Sequence, residues 1–105
     1  MADKGEDDTL RLDIWLWRAR FFKTRALASA HINKRGVRVS RHGQTRRVDK
    51  PGATVTAGDV LTFTRTRIVH VIEIAGLGER RGPADESRTL YIDLSGDEED
   101  GAANV

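Results

Sequence analysis

Residues 11–39 decide the fold. Arg11-Leu12-Asp13-Ile14-Trp15-Leu16-Trp17 opens the stretch, Lys23-Thr24-Arg25 divides it, and Lys34-Arg35-Gly36-Val37-Arg38-Val39 closes it. Leu12, Trp15, Leu16 and Ala19 fall at i, i+3, i+4 and i+7, one face of a helix running from Leu12 to about Phe21. A second apolar stripe, Ile14, Trp17 and Phe21, lies opposite. Such a helix must be covered on two sides or present one side to a partner. Phe22-Lys23 turns the chain. Thr24 is a good N-cap, because its hydroxyl can accept a free N–H of the first turn. The second helix runs from Arg25 to Arg35 with Leu27, Ala28, His31 and Ile32 inward. Lys34 and Arg35 suit its C-terminal dipole, and Gly36 supplies the left-handed residue that follows. Val37 to Ser40 alternates as a strand, and Arg41 to Gln44 is a turn.

Outward from this stretch the pattern is weaker. Thr45 to Gly52 reads as irregular and basic. Thr54-Val55-Thr56 is a short strand, Ala57-Gly58-Asp59 a tight turn, and Val60 to Thr64 a strand. Ile68 to Ala75 alternates, with Ile68, Ile72 and Ile74 on one face, and pairs antiparallel with residues 60–65 across Arg65-Thr66-Arg67. Gly76 to Pro83 is a loop, and Thr89 to Ile92 a final short strand. Leu90, Tyr91 and Ile92 are expected to cover the stripe of Ile14, Trp17 and Phe21, the sharper alternative being an exposed docking patch. The predicted class is α+β: two N-terminal helices packed on a small, mostly antiparallel sheet. The expected division is an acidic disordered tail at 1–9, a folded domain at 10–66, a C-terminal extension packing on it at 67–94, and an acidic disordered tail at 95–105.

Charge is segregated along the 105 residues. The chain is formally +2, but residues 11–67 hold fourteen Lys or Arg against three acids, a net of +11. The first ten residues carry −3, residues 68–92 carry −1, and residues 93–105 carry −5. A basic body between acidic ends suits a polyanionic partner better than the bulk charge does. There is no cysteine, so disulfides and thiolate metal sites are excluded. The acidic start lacks the apolar core of a signal peptide. The longest apolar stretch, Ile68 to Leu77, is interrupted by His70 and Glu73 and falls short of the roughly 20 residues a bilayer needs. A cytoplasmic protein without membrane contact is expected.

Catalytic patterns are missing. His31, His42 and His70 have no motif spacing, and three scattered histidines without a carboxylate at helical spacing do not propose a metal site. Gly76, Gly78 and Gly82 miss the dinucleotide fingerprint, and no phosphate-loop lysine is present. Asp13 reads as a first-turn helix charge, paired with an arginine. No enzyme activity and no cofactor are expected.

Phosphate chemistry is present instead. Lys23 and Arg25 flank the capping Thr24, where free N–H groups and the positive dipole end already favour an anion. Arg38 points away from the valines of its strand, and Arg41, Arg46, Arg47 and Lys50 follow. Singly each is ordinary surface charge; together they can follow a phosphate backbone. A DNA-binding helix-turn-helix regulator is the alternative. It needs base-reading side chains at the start of the second helix, where Arg25 could serve but Ala26, Leu27 and Ala28 could not. A protein-interaction module using Trp17 and Phe21 is a third class.

Arg11-Leu12-Asp13, Lys23-Thr24-Arg25, Ala28, Ile32, Gly36-Val37-Arg38-Val39 and Gly58-Asp59 resemble the alpha-L RNA-binding module known as the S4 domain, over about Leu10 to Phe63. The strings Arg11 to Trp17, Arg20 to Arg25 and Gly78-Glu79-Arg80-Arg81-Gly82-Pro83-Ala84 are similar to the ribosome-associated heat shock protein 15 family. The resemblance implies binding to ribosomal RNA on free large ribosomal subunits that still hold a nascent chain on tRNA, and rescue of such particles. Two departures stand out. Ser40-Arg41-His42-Gly43 replaces the family's usual Val-Asn-Gly turn, and an acidic tail stands where family members carry a longer basic extension. The residues expected to contact RNA are Arg11, Lys23, Thr24, Arg25, Lys34, Arg35, Arg38, Ser40, Arg41, Gln44, Arg46, Arg47 and Lys50. A monomer is expected.

Overall fold

The computed structural model describes residues 8–95. Strand β1 (Leu10–Arg11) leads into helix α1 (Leu12–Arg18), and helix α2 (Arg25–Arg35) follows. Strands β2 (Val37–Arg41), β3 (Gln44–Val48), β4 (Thr54–Val55), β5 (Val60–Arg65) and β6 (Ile68–Ile74) come next. A short helix α3 (Ala84–Ser87) and a 3-10 turn (Arg88–Leu90) deliver the chain to β7 (Tyr91–Asp93). Five strands form one antiparallel sheet in the order β3-β2-β5-β6-β7, and β1 pairs with β4. The acidic tails expected at 1–9 and 95–105 lie, but for residues 8, 9 and 95, outside the described residues.

One core joins helices and sheet. Leu12, Trp15, Leu16, Ala28 and Ile32 are buried with Val37, Val39, Leu61, Phe63, Ile72 and Ile74. The strand register explains the second group: Val39 faces Leu61, and Leu61 faces Ile72, so one pleat carries the apolar residues inward across three strands. The opposite parity puts Arg38, Thr62 and Val71 side by side on the outer face. Trp15 is fully buried, and its indole N–H donates to the Gly76 carbonyl at 2.9 Å.

Helix α1 stops three residues short of the expected Phe21. Arg20 adopts φ 68°, its N–H bonds to Trp17 O at 3.0 Å, and the Phe21 N–H bonds to Leu16 O at 3.0 Å. Those two bonds are the Schellman closure, usually built on glycine. Here Arg20 fills the position and its guanidinium donates to Gly82 O at 2.8 Å. Released from the helix, Phe21 enters the core against Tyr91 (4.8 Å between ring centres) and Phe63 (5.4 Å). The C-terminal segment therefore covers Phe21. Leu90 is buried as expected, whereas Ile92 is half exposed and contributes little cover. Trp17 is covered by a different residue, Arg81, whose guanidinium lies 5.9 Å from the ring centre and donates to Trp17 O.

Other expectations change with the tertiary context. Leu27 is 51% exposed, although helical spacing placed it inward. Ile68 is equally exposed, because its strand runs past the edge of the core. Residues 44–48 form an edge strand where an irregular segment was expected. Only Val48 of that strand is buried, so no alternation betrays it. The turn before it needs only two residues, His42 and Gly43, with φ of 52° and 79°. This is the hairpin geometry that matches strand twist, with histidine in the position asparagine favours.

Candidate nucleic-acid interface

Helix α2 organises the cations. The Leu27 N–H donates to the Thr24 hydroxyl at 3.0 Å, so Thr24 caps the helix as expected. No acid occupies the first turn, which leaves the positive dipole end uncompensated beside exposed Lys23 and Arg25. At the other end stand exposed Lys34 and Arg35. An eleven-residue helix is about 16 Å long, so these are two cation clusters separated by its length, not the single cluster that sequence proximity suggests.

Gly36 caps α2 and leads into β2 with φ 78° and ψ 168°, a conformation open to glycine. The approach of Arg47 adds a second, softer constraint. A Cβ at Gly36 would lie 2.7 Å from Arg47 Nε, because the Arg47 side chain crosses it to donate to the Arg35 carbonyl at 3.2 Å. Arg47 also meets Asp49 at 3.4 Å. On the outer face Arg38 stands directly opposite Arg47 across the β2–β3 ladder. Like charges facing each other destabilise a sheet, unless a polyanion lies over them. Arg35, Gly36, Arg38, Arg47, Thr62 and Thr64 line part of an open hollow of about 220 Å³. Gln44 and Arg46 lie on the other parity of β3 and line a separate hollow of about 400 Å³ with Val39, Arg41, His42 and Thr45. Ser40 and Thr45 hydroxyls bond to each other across the ladder.

Two candidates are engaged in holding the fold. Arg41 forms a bidentate pair with buried Asp59, at 2.9 and 2.8 Å, and Asp59 also accepts the Thr56 N–H at 3.0 Å. The hydrogen bonds from Arg41 to Asp59 raise the arginine's already high pKa. Arg11 forms a similar pair with buried Asp13, at 3.1 and 3.0 Å, and the Ser29 hydroxyl donates to the same carboxylate at 2.9 Å. Asp13 thus ties α1 to α2 and is more than a first-turn charge. Burial alone would raise the Asp13 pKa. Hydrogen bonds from Arg11 and Ser29, the Arg11 charge and the Ile14 N–H together bring it below the usual value. Lys23, Arg25, Lys34, Arg38, Arg46 and Lys50 make no ion pair among the described residues.

Helix α1 lends no free arginine to this surface. Arg18 donates to Gly78 O at 2.6 Å and Arg20 to Gly82 O, fastening the 76–82 loop to the helix. One basic feature escaped the sequence reading. Arg35, Arg65 and Arg67, with His31, Thr64 and Thr66, line a hollow of about 320 Å³ between α2 and the β5–β6 turn. The arginines flanking that turn were visible, but nothing local placed them beside α2. Among the described residues no group of three or more His, Cys, Asp or Glu could hold a metal ion, and no helix is long and apolar enough to cross a membrane.

The family model of the S4 domain matches residues 10–61, from β1 to the middle of β5. Residues 10–61 therefore form an S4 domain, the class of module to which this fold belongs. Heat shock protein 15 of Escherichia coli K12 is 39% identical over 82 residues, which are 78% of this chain and 58% of that protein. The homolog from Aeromonas salmonicida is 36% identical over 92 residues, 87% of this chain and 66% of that one. The trimeric structure of Vibrio cholerae heat shock protein 15 superposes with a TM-score of 0.74 at 31% identity, covering 93% of this chain and 94% of that chain. The chain belongs to the heat shock protein 15 family. It spans less than two thirds of the length of the E. coli protein.

Proposed function

We propose that this protein binds ribosomal RNA on free large ribosomal subunits carrying nascent chain-tRNA, and aids recycling of such stalled subunits in the cytoplasm. The observation that carries the reading is the set of unpaired cations around α2 and the β2–β3 ladder on an S4 domain. Lys23 and Arg25 hold phosphate at one end of α2. Lys34, Arg35 and Arg38 hold it at the other, with Arg47 beside them and Arg46, Gln44 and Lys50 extending the track. Arg11 and Arg41 keep about half of their side-chain surface in solvent, 49% and 41%, and contact RNA only at the margin of the surface they support. Ser40 adds a hydroxyl to the outer face, and Thr24 acts through the helix end it caps. Recognition is by shape and backbone, because the deep groove of A-form RNA is closed to side chains. In this reading residues 10–66 bind RNA and 67–94 buttress them, and no chemical step is catalysed.

Co-sedimentation with purified ribosomal subunits tests the reading. Binding to large subunits charged with peptidyl-tRNA, in preference to small subunits and to duplex DNA, is the expected result. Equal binding to DNA would overturn it. The V. cholerae relative is trimeric, against the monomer expected from the sequence. Sedimentation equilibrium assigns the state of this chain: three times the 11.7 kDa mass carries the relative's assembly over, and a single mass retains the monomer.

A further inference from the structure

We infer that the hollow between the last turn of α2 and the β5–β6 turn is a second phosphate subsite for RNA, formed by Arg35, Arg65 and Arg67 with the Thr64 hydroxyl. The inference rests on the RNA-binding reading above and extends it from Arg35 to the β5–β6 turn, which lies past residue 61 where the S4 match ends.

Three observations carry it. First, three arginines and no carboxylate line the hollow. Seven other arginines are consumed by the fold: Arg11, Arg41, Arg47 and Arg80 meet acids, and Arg18, Arg20 and Arg81 meet carbonyls. Arg65 lies over the Phe22 ring at 5.5 Å, which orients it without neutralising it. Arg35 and Arg67 form no ion pair among the described residues. Three like charges converging without a counter-charge are favourable when an anion sits between them.

Second, the turn that presents Arg67 is strained. Thr66 and Arg67 hold φ of 50° and 68° although neither is glycine. A β-branched residue is an outlier there, and strain of this kind concentrates where a side chain is needed. Glycine at position 67 would relieve the turn and remove the cation.

Third, the hollow adjoins the proposed RNA surface. Arg35 and Thr64 line both this hollow and the neighbouring one that holds Arg38 and Arg47. A backbone lying over Arg38 therefore meets Arg35 next and Arg67 beyond it.

His31 reports on the site. It lines the hollow, and its Nε2 has no hydrogen-bond partner. The rings of Phe22 and Phe63 pack on it at 5.2 and 6.1 Å. Burial, then the charges of Arg35 on its own helix and Arg65 on β5, lower its pKa. A phosphate between those arginines offsets their repulsion of the imidazolium, so RNA binding draws the His31 pKa upward.

The test uses the full chain and large-subunit ribosomal RNA, with affinity measured across a salt series. Arg67→Gln should weaken binding several-fold and flatten the slope of log K against log salt by about one unit. Arg80→Gln should change neither. In NMR titrations RNA should raise the His31 pKa in the wild-type chain and raise it less in Arg67→Gln. Unchanged affinity, slope and His31 response in Arg67→Gln, while Arg38→Gln loses binding, overturns the subsite and leaves the RNA reading standing. Failure of the wild-type chain to bind the RNA overturns both. Arg67 is exposed and makes no ion pair among the described residues, and thermal melting of each variant confirms that binding is compared between folded proteins.

Discussion

Arg38 and Arg41 stand three residues apart on one strand and have opposite uses. Arg38 lies on the outer face, opposite Arg47 and Thr62, with no acid in reach among the described residues. Arg41 has the other parity and closes on the buried carboxylate of Asp59. The same contrast separates Arg25, open beside an uncompensated helix end, from Arg11, held by Asp13. A single residue type thus builds the fold around β4 and leaves a charged surface around α2. The difference teaches that a basic cluster in sequence overstates the cations available to a ligand. What frees an arginine for phosphate is the absence of a buried carboxylate behind it.

The sharpest way to break this distinction is to remove a carboxylate. Asp59→Ala leaves Arg41 and the Thr56 N–H without their acceptor. It should destabilise the domain by about 2–3 kcal/mol in urea unfolding, since one partner of a buried pair is lost while the other is part-solvated. A change within 0.5 kcal/mol, about the noise of a surface substitution, would erase the difference between Arg41 and Arg38.

Charge reversal probes the open side. Arg38→Glu or Arg25→Glu should lower affinity for large-subunit RNA at least tenfold, about 1.4 kcal/mol, with folding stability nearly unchanged. Arg41→Gln should show the reverse pattern, a loss of stability near 1 kcal/mol with a smaller loss of binding. Arg88→Glu, outside both groups, should do neither. Equal binding losses at Arg25, Arg38 and Arg88 would mean that only bulk charge matters.

Trp15 and Trp17 extend the comparison to α1. Trp15→Ala in the closed core should cost about 3–5 kcal/mol and unfold much of the population. Trp17→Ala removes a half-buried ring capped by Arg81 and should cost only about 1–2 kcal/mol. Circular dichroism melts separate the two outcomes. Full loss of folding in Trp17→Ala would place that ring in the core after all.

The smallest expected effect is a pH dependence. The folded pKa of Asp13 lies below its unfolded value, so its contribution is complete above the ordinary aspartate value of about 3.9 and is lost as pH falls through the lowered folded value. His31 is lowered as well. Its neutral form is favoured in the fold, so stability falls as pH drops below the ordinary histidine value of about 6.5 and on through the folded one. Asp13→Asn and His31→Gln should flatten stability-against-pH curves in the lower and upper of these windows respectively.

Much of the architecture was legible because it depends on local chemistry. Periodicity marked both helices, the Thr24 hydroxyl marked the start of α2, and the paired alternation of 60–65 and 68–74 marked the central hairpin. Strand β3 was hidden because an edge strand of arginines, threonine and glutamine has one buried side chain and so shows no period. The early end of α1 was hidden because Arg20, not glycine, holds the left-handed position, and its stabilising contact comes from Gly82, far along the chain.

The candidate site divides along the same line. Residue types and their spacing determined that this chain folds as two helices on an antiparallel sheet, belongs with the S4-type RNA binders and concentrates its positive charge in residues 11–67. Tertiary structure alone decided which of those charges face outward unpaired. Arg41 meets a carboxylate eighteen residues away, Arg18 and Arg20 meet carbonyls about sixty residues away, and Arg35 and Arg67 converge from a helix and a hairpin. Ion pairs and hydrogen bonds of that kind depend on distances in space, which residue order does not encode locally.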